Sequence, residues 1–330
     1  MKKVMTALRL PALCLAALLA LSGCGATATS ETTSQADSAA VSSNAATQST
    51  AATPEATGET RTISTVMGDV EIPANPQRIV GIQCFPVLKS LGAENAVDMT
   101  EREKLTYFAE DYKWEELMAL DPDLIITSYY PGVEEYLERS GQIAPTITFD
   151  NSATTEEKQL FIGEVIGKQE VAQAQIKAYK ETLAKSVQQL KDAGIYGSTV
   201  AILQYTSSGV MYAYGDKLGR GGDILYPLMG FKPTDIVQEK IIDGEEYYLE
   251  LSMEALTDYA DADYIIIMTP DEAINTLYEN GVWKSLKPVQ EGKFFAITQD
   301  EYMALFNMPS VTETQSAIEM YTERLLEVTK

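Results

Sequence analysis

Short, strongly apolar runs alternate with amphipathic segments along most of the chain. The runs are rich in Val, Ile and Phe, as is typical of buried strands, and they cover Arg78–Ile82, Leu124–Thr127, Thr146–Phe149, Thr199–Leu203, Tyr264–Met268 and Lys293–Ile297. Helix candidates, in which apolar residues recur every three or four positions, cover Phe85–Leu91, Lys113–Leu120, Val133–Arg139 and Thr312–Val328. Strands interleaved with helices predict an α/β protein with largely parallel sheets.

One long helix divides this alternation into two halves. Its apolar positions follow helical spacing with no intervening Gly or Pro: Ala172, Ile176, Tyr179, Leu183, Val187 and Leu190. We therefore predict two Rossmann-like lobes, 61–167 and 194–330, joined by one rigid helix over 168–193. A hairpin with Gly68 at its turn opens the first lobe. Because a single rigid helix permits little hinging, we expect the ligand in a preformed cleft between the carboxyl ends of the two sheets.

The beginning of the chain has the pattern of an export signal. Lys2, Lys3 and Arg9 precede the apolar run Leu10–Leu21, which is shorter than the roughly 20 residues that a membrane-spanning helix needs. We predict a signal peptide over 1–23. The sequence Leu-Ser-Gly-Cys24 resembles the bacterial lipobox, which implies that the thiol of Cys24 carries a lipid.

The composition then changes abruptly. From Gly25 to Thr60, 25 of 36 residues are Ala, Ser or Thr, and none is aromatic, Leu, Ile, Lys or Arg. Such a stretch cannot form a core. We predict that 24–60 is the lipidated Cys24 followed by a disordered tether of about 30–40 Å r.m.s. length.

Charge and composition exclude several functions. The chain has 48 Asp and Glu against 25 Lys and Arg, a net charge of −23, so nucleic acid is not an expected partner. It contains no histidine, which removes Ser-His and Cys-His catalysis, H-E-x-x-H zinc sites and most His-ligated haem arrangements. There is also no nucleophile elbow and no dinucleotide fingerprint, so an α/β enzyme is the least favoured hypothesis.

Several motifs follow one another in a characteristic order. They are Val70-Glu-Ile-Pro-Ala-Asn-Pro-Gln-Arg-Ile-Val80, Glu115-Glu-Leu-Met-Ala-Leu-Asp-Pro-Asp-Leu-Ile-Ile126, Ile143–Thr146, Gly163–Gly167, Leu251–Glu254, Ala262–Ile266 and Gly281–Trp283. Together they resemble the substrate-binding lipoproteins of ABC importers for iron-siderophore complexes and vitamin B12. The segment Tyr214-Gly-Asp-Lys-Leu-Gly-Arg-Gly-Gly-Asp-Ile-Leu-Tyr226 most resembles the ferric hydroxamate-binding proteins of Gram-positive bacteria.

This resemblance implies a function without catalysis. The chain is expected to be a lipid-anchored protein on the extracytoplasmic face of the cell membrane. It would capture a ferric siderophore, of hydroxamate type, and deliver it to an ABC permease and its ATPase. The siderophore itself holds the iron, so neither a protein metal site nor a cofactor is expected, and the protein is expected to be a monomer.

The resemblance also points to individual ligand-binding residues. It implies that Tyr212 and Arg220 reach the iron-bound hydroxamate oxygens, for which a phenol and a guanidinium are suitable donors. The alternative for Arg220 is a salt bridge with Asp223. Related hydroxamate binders often carry Trp at the position of Leu218. With Leu218 there, this chain lacks the flat contact surface that the indole ring would provide.

Aromatic residues after the predicted strands are further candidates for the ligand site. They are Phe85, Tyr129, Tyr130, Tyr302 and Phe306. The alternative is that the two tyrosines of the first lobe are ordinary strand-end aromatics. For the two residues of the second lobe, the alternative is a place in a lid over the core.

One glutamate in each lobe matches the positions at which the family contacts its permease. These are Glu115 and Glu254, each expected to open a short helix, and Glu116 replaces Glu115 if the register differs by one residue. Glutamates are also common at helix starts because they interact favourably with the helix dipole. The resemblance implies that both form salt bridges with permease arginines.

The ligand class follows from the few cations near the predicted cleft. Only Arg220 and Lys217 are candidates, which is too few to offset the roughly three negative charges of a ferric tris-catecholate. We therefore predict a preference for neutral or cationic ferric hydroxamates. Alternatives are a catecholate siderophore, haem or cobalamin on the same fold, and a sensor or co-receptor role.

Overall fold

A computed structural model describes residues 58–100 and 112–330 of the chain. The predicted signal peptide, the lipidated Cys24 and almost all of the predicted tether lie outside these residues. Within the described ranges, no helix combines the length and the apolar character that crossing a membrane requires.

The first lobe contains a small hairpin and a four-stranded sheet. Its elements are β1 (Thr60–Thr65), β2 (Gly68–Pro73), β3 (Ile79–Gly81), α1 (Phe85–Ser90), β4 (Val97–Asp98), α2 (Trp114–Ala119), β5 (Leu124–Tyr129), α3 (Glu134–Gly141), β6 (Thr146–Asp150) and α4 (Thr155–Val165). The strand order is β4-β3-β5-β6 with all pairs parallel, and β1 and β2 pair antiparallel apart from it. The first five residues of β5 are buried, which explains its continuous apolar run.

The linking helix and the second lobe follow. The elements are α5 (Gln169–Asp192), β7 (Val200–Tyr205), β8 (Met211–Tyr214), α6 (Gly222–Leu225), α7 (Asp235–Val237) with a π-helical turn (Gln238–Ile242), β9 (Tyr248–Leu251), α8 (Leu256–Tyr259), β10 (Tyr264–Met268), α9 (Asp271–Glu279), α10 (Gly281–Ser285), α11 (Lys287–Gln290), β11 (Phe294–Ile297), α12 (Gln299–Leu305) and α13 (Val311–Glu327). The sheet order is β11-β10-β7-β8-β9.

The second sheet is mixed. Strands β7, β10 and β11 are parallel, whereas β8 and β9 are antiparallel to their neighbours. The apolar runs predicted the three parallel strands. They did not predict β8 and β9, which are only four residues long; β8 alternates tyrosine with Met211 and Ala213, and Glu250 interrupts the apolar residues of β9.

Helix α5 belongs to the cores of both lobes. Near its start, Ala172 packs in the core of the first lobe, while Ile176, Tyr179 and Leu190 pack in the core of the second. The spacing of these residues places them along one side of the helix. The predicted long helix between the lobes is therefore present, and it packs into the core of each lobe.

A buried polar contact strengthens the same junction. The side chain of Gln159 in α4 is fully buried, and its Nε2 donates to Ser90 Oγ at 3.1 Å and to Gln175 Oε1 at 2.6 Å. Its Oε1 accepts from the backbone N–H of Val311, the first residue of α13, at 3.5 Å. One amide thus connects α1, α5 and α13 across the two lobes.

Candidate functional site

Arg220 lies at the centre of a cluster of tyrosines in the second lobe. Its guanidinium carbon is 4.2 Å from the ring centroid of Tyr302 and 5.2 Å from that of Tyr214. Its Nη1 donates to the hydroxyl of Tyr302 and to the backbone oxygen of Leu218, the latter at 3.1 Å. The structure thus brings together two residues that were predicted from distant parts of the chain.

Two features indicate that the guanidinium has unused donor capacity. Its Nε is buried and has no hydrogen-bond partner. Within residues 58–100 and 112–330, no Asp or Glu forms a salt bridge with Arg220, so the alternative of a pair with Asp223 is wrong for this structure. A buried donor without a partner costs free energy.

The tyrosines of β8 and β9 extend this surface. Tyr212 is opposite Gln204, the penultimate residue of β7, so it lies near the carboxyl edge of the sheet. Tyr248 packs against Tyr212 at 5.6 Å and against Tyr214 at 5.5 Å between ring centroids. Burial raises the pKa of Tyr214, and the nearby Arg220 cation partly offsets this effect. The hydroxyl of Tyr214 donates a hydrogen bond to Gln204 Oε1 at 2.8 Å. The phenols form a continuous wall.

Tyr248 was missed by the sequence analysis. It is 44% exposed, which is unusual for a tyrosine that contacts two other rings. The alternation of tyrosine, leucine and glutamate over Tyr248–Leu251 is a weak strand signal that could have identified it. Because it continues the wall of Tyr212 and Tyr214, we include it in the candidate site.

The glycines around Arg220 set the path of its loop. At Gly221, φ is 91°, and an added Cβ would overlap with the ring of Tyr321; at Gly222 it would overlap with the backbone oxygen of Gly215. At Gly219 it would be 2.7 Å from the backbone oxygen of Phe306. Close backbone approach therefore accounts for the glycines on either side of Arg220.

Leu218 takes an unusual conformation beside this loop. Its φ is 63°, in the left-handed region that non-glycine residues rarely adopt, and it is 47% exposed. Strained backbone of this kind concentrates at functional sites. The predicted position of Leu218 at the ligand surface is consistent with this exposure.

Tyr302 and Phe306 belong to one short helix and its end, but their surroundings differ. Tyr302 is half-buried and contacts Arg220, whereas Phe306 is 3% exposed and packs against Tyr321 at 5.6 Å. Phe306 is thus a core residue that supports the ring of Tyr302, which is stacked on it at 6.4 Å. Its predicted ligand contact would require the surrounding core to open.

The predicted residues of the first lobe lie at the carboxyl ends of β3 and β5. Phe85 begins α1 and is half-buried against the core. Tyr129 and Tyr130 are half-buried at the end of β5, and the hydroxyl of Tyr129 donates to Glu134 Oε1 at 3.5 Å. They share the edge at which the fold class binds ligands.

Gln83 occupies the same edge and was not predicted. Its φ is 63°, its backbone N–H donates to Thr100 Oγ1 at 2.8 Å, and its side-chain oxygen accepts from the hydroxyl of Ser128. Two hydrogen bonds thus hold a strained residue directly after β3. No sequence motif identifies Gln83, because it is a single glutamine that belongs to no recognisable pattern.

The two predicted docking glutamates are both exposed. Glu115 is in the first turn of α2, as expected. Glu254 was expected to open a helix, but α8 begins at Leu256, and Glu254 lies in the preceding turn. Hydrogen bonds from its own backbone N–H and from the hydroxyl of Ser252 lower the pKa of Glu254, so it is firmly ionised.

Of the two neighbouring candidates for the docking glutamate of the first lobe, the structure favours Glu115 over Glu116. Glu116 pairs with Lys113, one turn earlier, at 3.8 Å between Nζ and Oε2. Within the described part of the chain, Glu115 forms no such pair and is free to meet a cation on another protein.

Among the described residues, no group of three or more Cys, Asp or Glu side chains is arranged to hold a metal ion. Cys84 is buried, and burial raises the pKa of its thiol well above the ordinary value. A protonated, enclosed thiol is a packing group.

Comparison with known proteins identifies the family. The family model described as periplasmic binding protein matches residues 76–301, more than half of the chain. The chain belongs to this family. The matched segment begins just before β3 and ends within α12, so the family model covers parts of both lobes of this periplasmic binding protein.

Two curated relatives of this periplasmic binding protein come from Bacillus subtilis strain 168. It is 28% identical over 284 residues to the iron(3+)-hydroxamate-binding protein FhuD, covering 81% of this chain and 87% of that protein. It is 26% identical over 265 residues to the iron(3+)-hydroxamate-binding protein YxeB, covering 74% of this chain and 79% of that protein.

Solved structures show the same fold. FhuD2 from Staphylococcus aureus with bound ferrioxamine B superposes with a TM-score of 0.61 at 23% identity, covering 76% of this chain and 99% of that one. S. aureus SirA complexed with staphyloferrin B superposes with a TM-score of 0.62 at 24% identity, covering 80% of this chain and 98% of that one. Both contain the two-lobed architecture, and at these identities they establish the fold of this periplasmic binding protein.

Proposed function

We propose that this protein is the extracytoplasmic binding component of an ABC importer, and that it captures a ferric siderophore of the hydroxamate class. It would then deliver this complex to a membrane permease and its ATPase, and it would perform no catalysis of its own. Family membership and the names of the two curated relatives support this proposal.

The observation that carries the proposal is the state of Arg220. Its guanidinium is held by the hydroxyl of Tyr302 and the backbone of Leu218, yet it retains a buried Nε without a partner and forms no salt bridge with a carboxylate of the described residues. Hydroxamate oxygens bound to iron are compact, electron-rich acceptors. A guanidinium flanked by phenols suits them because each donor makes a charge-assisted or directional hydrogen bond.

The charge of the site supports hydroxamates over catecholates. Among the described residues at the cluster, Arg220 is the cation in contact with its rings, and Lys217 lies over the more distant ring of Tyr247 at 5.2 Å. A ferric tris-catecholate carries about three negative charges, each of which costs several kcal/mol when desolvated without a partner. A tris-hydroxamate complex carries no such charge on its iron centre.

A direct binding measurement tests the proposal. Purified protein would be titrated calorimetrically with ferrichrome, ferrioxamine B, ferric enterobactin, haem and cobalamin at equal salt. We expect the two hydroxamates to bind most tightly. Tighter binding of any of the other three would reject the hydroxamate class, and no binding of any of them would reject siderophore capture.

The remaining features of the proposal concern the membrane. We propose that Cys24 anchors the protein by its lipid, that the protein acts as a monomer, and that Glu115 and Glu254 contact the permease. Exposure of both carboxylates and the absence of a salt bridge at either, within the described residues, favour an external partner. One carboxylate in each lobe would let the permease contact both lobes at once.

A further inference from the structure

Glu250 lies on the same face of the second sheet as the tyrosines around Arg220. Strand β9 pairs antiparallel with β8, which places Glu250 opposite Tyr212 and Tyr248 opposite Tyr214. Opposite residues, and residues two positions apart on one strand, share a face of the sheet. The ring contacts of Tyr248 with both Tyr212 and Tyr214 show that this face is the one that carries the candidate site.

The carboxylate of Glu250 is exposed and unpaired. Within residues 58–100 and 112–330, it makes no salt bridge, and no side chain donates a hydrogen bond to it. The two nearby cations are engaged elsewhere: Lys217 lies over Tyr247, and Arg220 lies between Tyr214 and Tyr302. The site therefore contains one negative charge that no residue of its own compensates.

Arg220 and Glu250 mark two ends of one surface. Arg220 lies over Tyr214, and Glu250 is opposite Tyr212, two positions earlier on the same strand. Because a strand advances about 3.4 Å per residue, Tyr212 and Tyr214, the two residues of β8 beside these charged side chains, are roughly 7 Å apart along the strand. The exposed ring of Tyr248 contacts both of these tyrosines, and its face can also attract a cation.

We propose that Glu250 determines specificity by selecting ferric hydroxamates that carry a primary ammonium group over their uncharged analogues. This inference rests on the proposed function. The iron-bound oxygens would face Arg220, and the ammonium would extend along Tyr248 to the carboxylate of Glu250. The negative charge would also disfavour ligands with a free carboxylate at that end.

The test uses two ligands that differ only in this charge. Ferrioxamine B has a pendant primary ammonium, and its N-acetylated derivative has none. We expect wild-type protein to bind ferrioxamine B about two- to fivefold more tightly at low salt, the range typical of an ion pair that is partly exposed to solvent. The preference should shrink as salt is added.

Variants at Glu250 complete the test. Glu250→Gln should make the two dissociation constants equal by weakening ferrioxamine B alone, and Glu250→Lys should favour the acetylated complex. Glu279→Gln, at an exposed carboxylate that ends α9, should keep the wild-type ratio. Thermal unfolding of each variant would confirm that it is folded.

The outcomes separate the two proposals. If wild-type protein binds both complexes but does not distinguish them, or if Glu250→Gln retains the wild-type ratio, the role of Glu250 is rejected while siderophore binding stands. If wild-type protein binds neither complex, the proposed function fails and the role of Glu250 fails with it.

Discussion

Arg220 contacts Tyr302 in two ways at once: its guanidinium lies 4.2 Å from the ring centroid, and its Nη1 donates to the hydroxyl of the same tyrosine. Tyr302 is 82 residues away in sequence, on the helix that follows β11. This double contact fixes the orientation of the guanidinium before any ligand arrives. A preoriented donor loses less conformational freedom on binding, so more of its interaction energy contributes to affinity.

Removing Arg220 should weaken ligand binding strongly. We expect Arg220→Ala to reduce ferric hydroxamate affinity by about 1.5–3 kcal/mol, the usual contribution of a hydrogen bond to a charged group. Arg220→Lys should recover only part of this loss, because an ammonium cannot maintain both the contact with Tyr302 and a donor toward the ligand. Calorimetric titration with ferrioxamine B measures each effect.

A matched arginine serves as the control for this prediction. Arg78 precedes β3, at the amino end of the first sheet, and forms exposed ion pairs with Asp121 and Asp123. Arg78→Ala should leave affinity unchanged. An Arg220→Ala protein that is folded and binds with wild-type affinity would exclude Arg220 from the site.

Charge reversal at the docking glutamates should impair transport without affecting capture. We expect Glu115→Lys and Glu254→Lys to reduce uptake of radiolabelled ferric hydroxamate by cells while the dissociation constant stays within error, since a repulsive charge at an interface rim opposes complex formation. Glu116→Lys, at the neighbour that already pairs with Lys113, should have the smaller effect. A large loss of ligand affinity in either main variant would instead place that glutamate in the ligand site.

Anchoring should depend on one thiol near the amino terminus. We expect Cys24→Ala to prevent lipidation and to move the protein from the membrane fraction to the soluble fraction or to leave it uncleaved, because acyl chains supply the membrane affinity. Fractionation and mass spectrometry of the mature protein report both changes. Complete recovery of a cleaved variant in membranes would contradict the lipid anchor.

Much of the fold was predictable because its signals are local. The five residues of β10 are all apolar in character and all buried, and α5 repeats its buried positions over 24 residues without a glycine or proline. Strands β8 and β9 have no such signal. They are four residues long, and their pairing with β7 and with each other is a tertiary contact that sequence propensity does not encode.

The site was predictable only in part for the same reason. The resemblance pointed to Arg220 and Tyr302 separately, but their direct contact depends on how α12 packs against the loop at Gly219. The burial of Phe306 depends on Tyr321 of α13, which no local pattern connects to it. The register of β9 is what places Tyr248 opposite Tyr214 and Glu250 opposite Tyr212.

The glycine after Arg220 should be essential for stability. Gly221 has a φ of 91°, and an added Cβ would overlap with Tyr321, whereas Gly132 has a φ of 95° with nothing within 4 Å of its added Cβ. We expect Gly132→Ala to cost about 1 kcal/mol through backbone strain alone. Gly221→Ala should lower the free energy of unfolding by about 1–3 kcal/mol more than this, because the added Cβ overlaps with the ring of Tyr321. Urea unfolding measures both.

A second variant separates overlap from strain at this position. The hydroxyl of Tyr321 is buried and has no hydrogen-bond partner, so its removal should cost little. In the Tyr321→Phe background, Gly221→Ala should therefore be less destabilising than in wild type. Equal destabilisation of Gly132→Ala and Gly221→Ala would show that packing against Tyr321 is unimportant.

Glu301 should link the stability of α12 to pH. Its carboxylate caps α12 through Thr298 and pairs with Arg324, which also donates to the backbone oxygen of Ala296 at 2.9 Å. Burial acts to raise the pKa of Glu301, but the hydrogen bonds from Arg324 and Thr298 outweigh it, so the folded-state pKa lies below its ordinary value of 4.5. The folded protein thus binds this proton less readily than the unfolded chain does.

The sign of the pH effect follows from this shift. A carboxyl group whose pKa is lowered by folding stabilises the protein above its unfolded-state pKa, and the contribution disappears as pH falls through the folded-state pKa. We expect Glu301→Gln to lower the free energy of unfolding by about 0.5–1 kcal/mol at pH 7, since the pair is about one-third exposed. The difference from wild type should shrink below pH 4.5. Denaturant unfolding across this range measures it.

A comparable glutamate separates this effect from capping alone. Glu157 caps α4 through Thr154, and hydrogen bonds from Thr154 lower its pKa, but it has no arginine partner in the described residues. Glu157→Gln should therefore reduce stability slightly without changing ligand affinity. Glu301→Gln should also weaken hydroxamate binding, because α12 carries the tyrosine that orients Arg220. If both variants bind ligand with wild-type affinity, the position of Tyr302 does not depend on the Glu301–Arg324 pair.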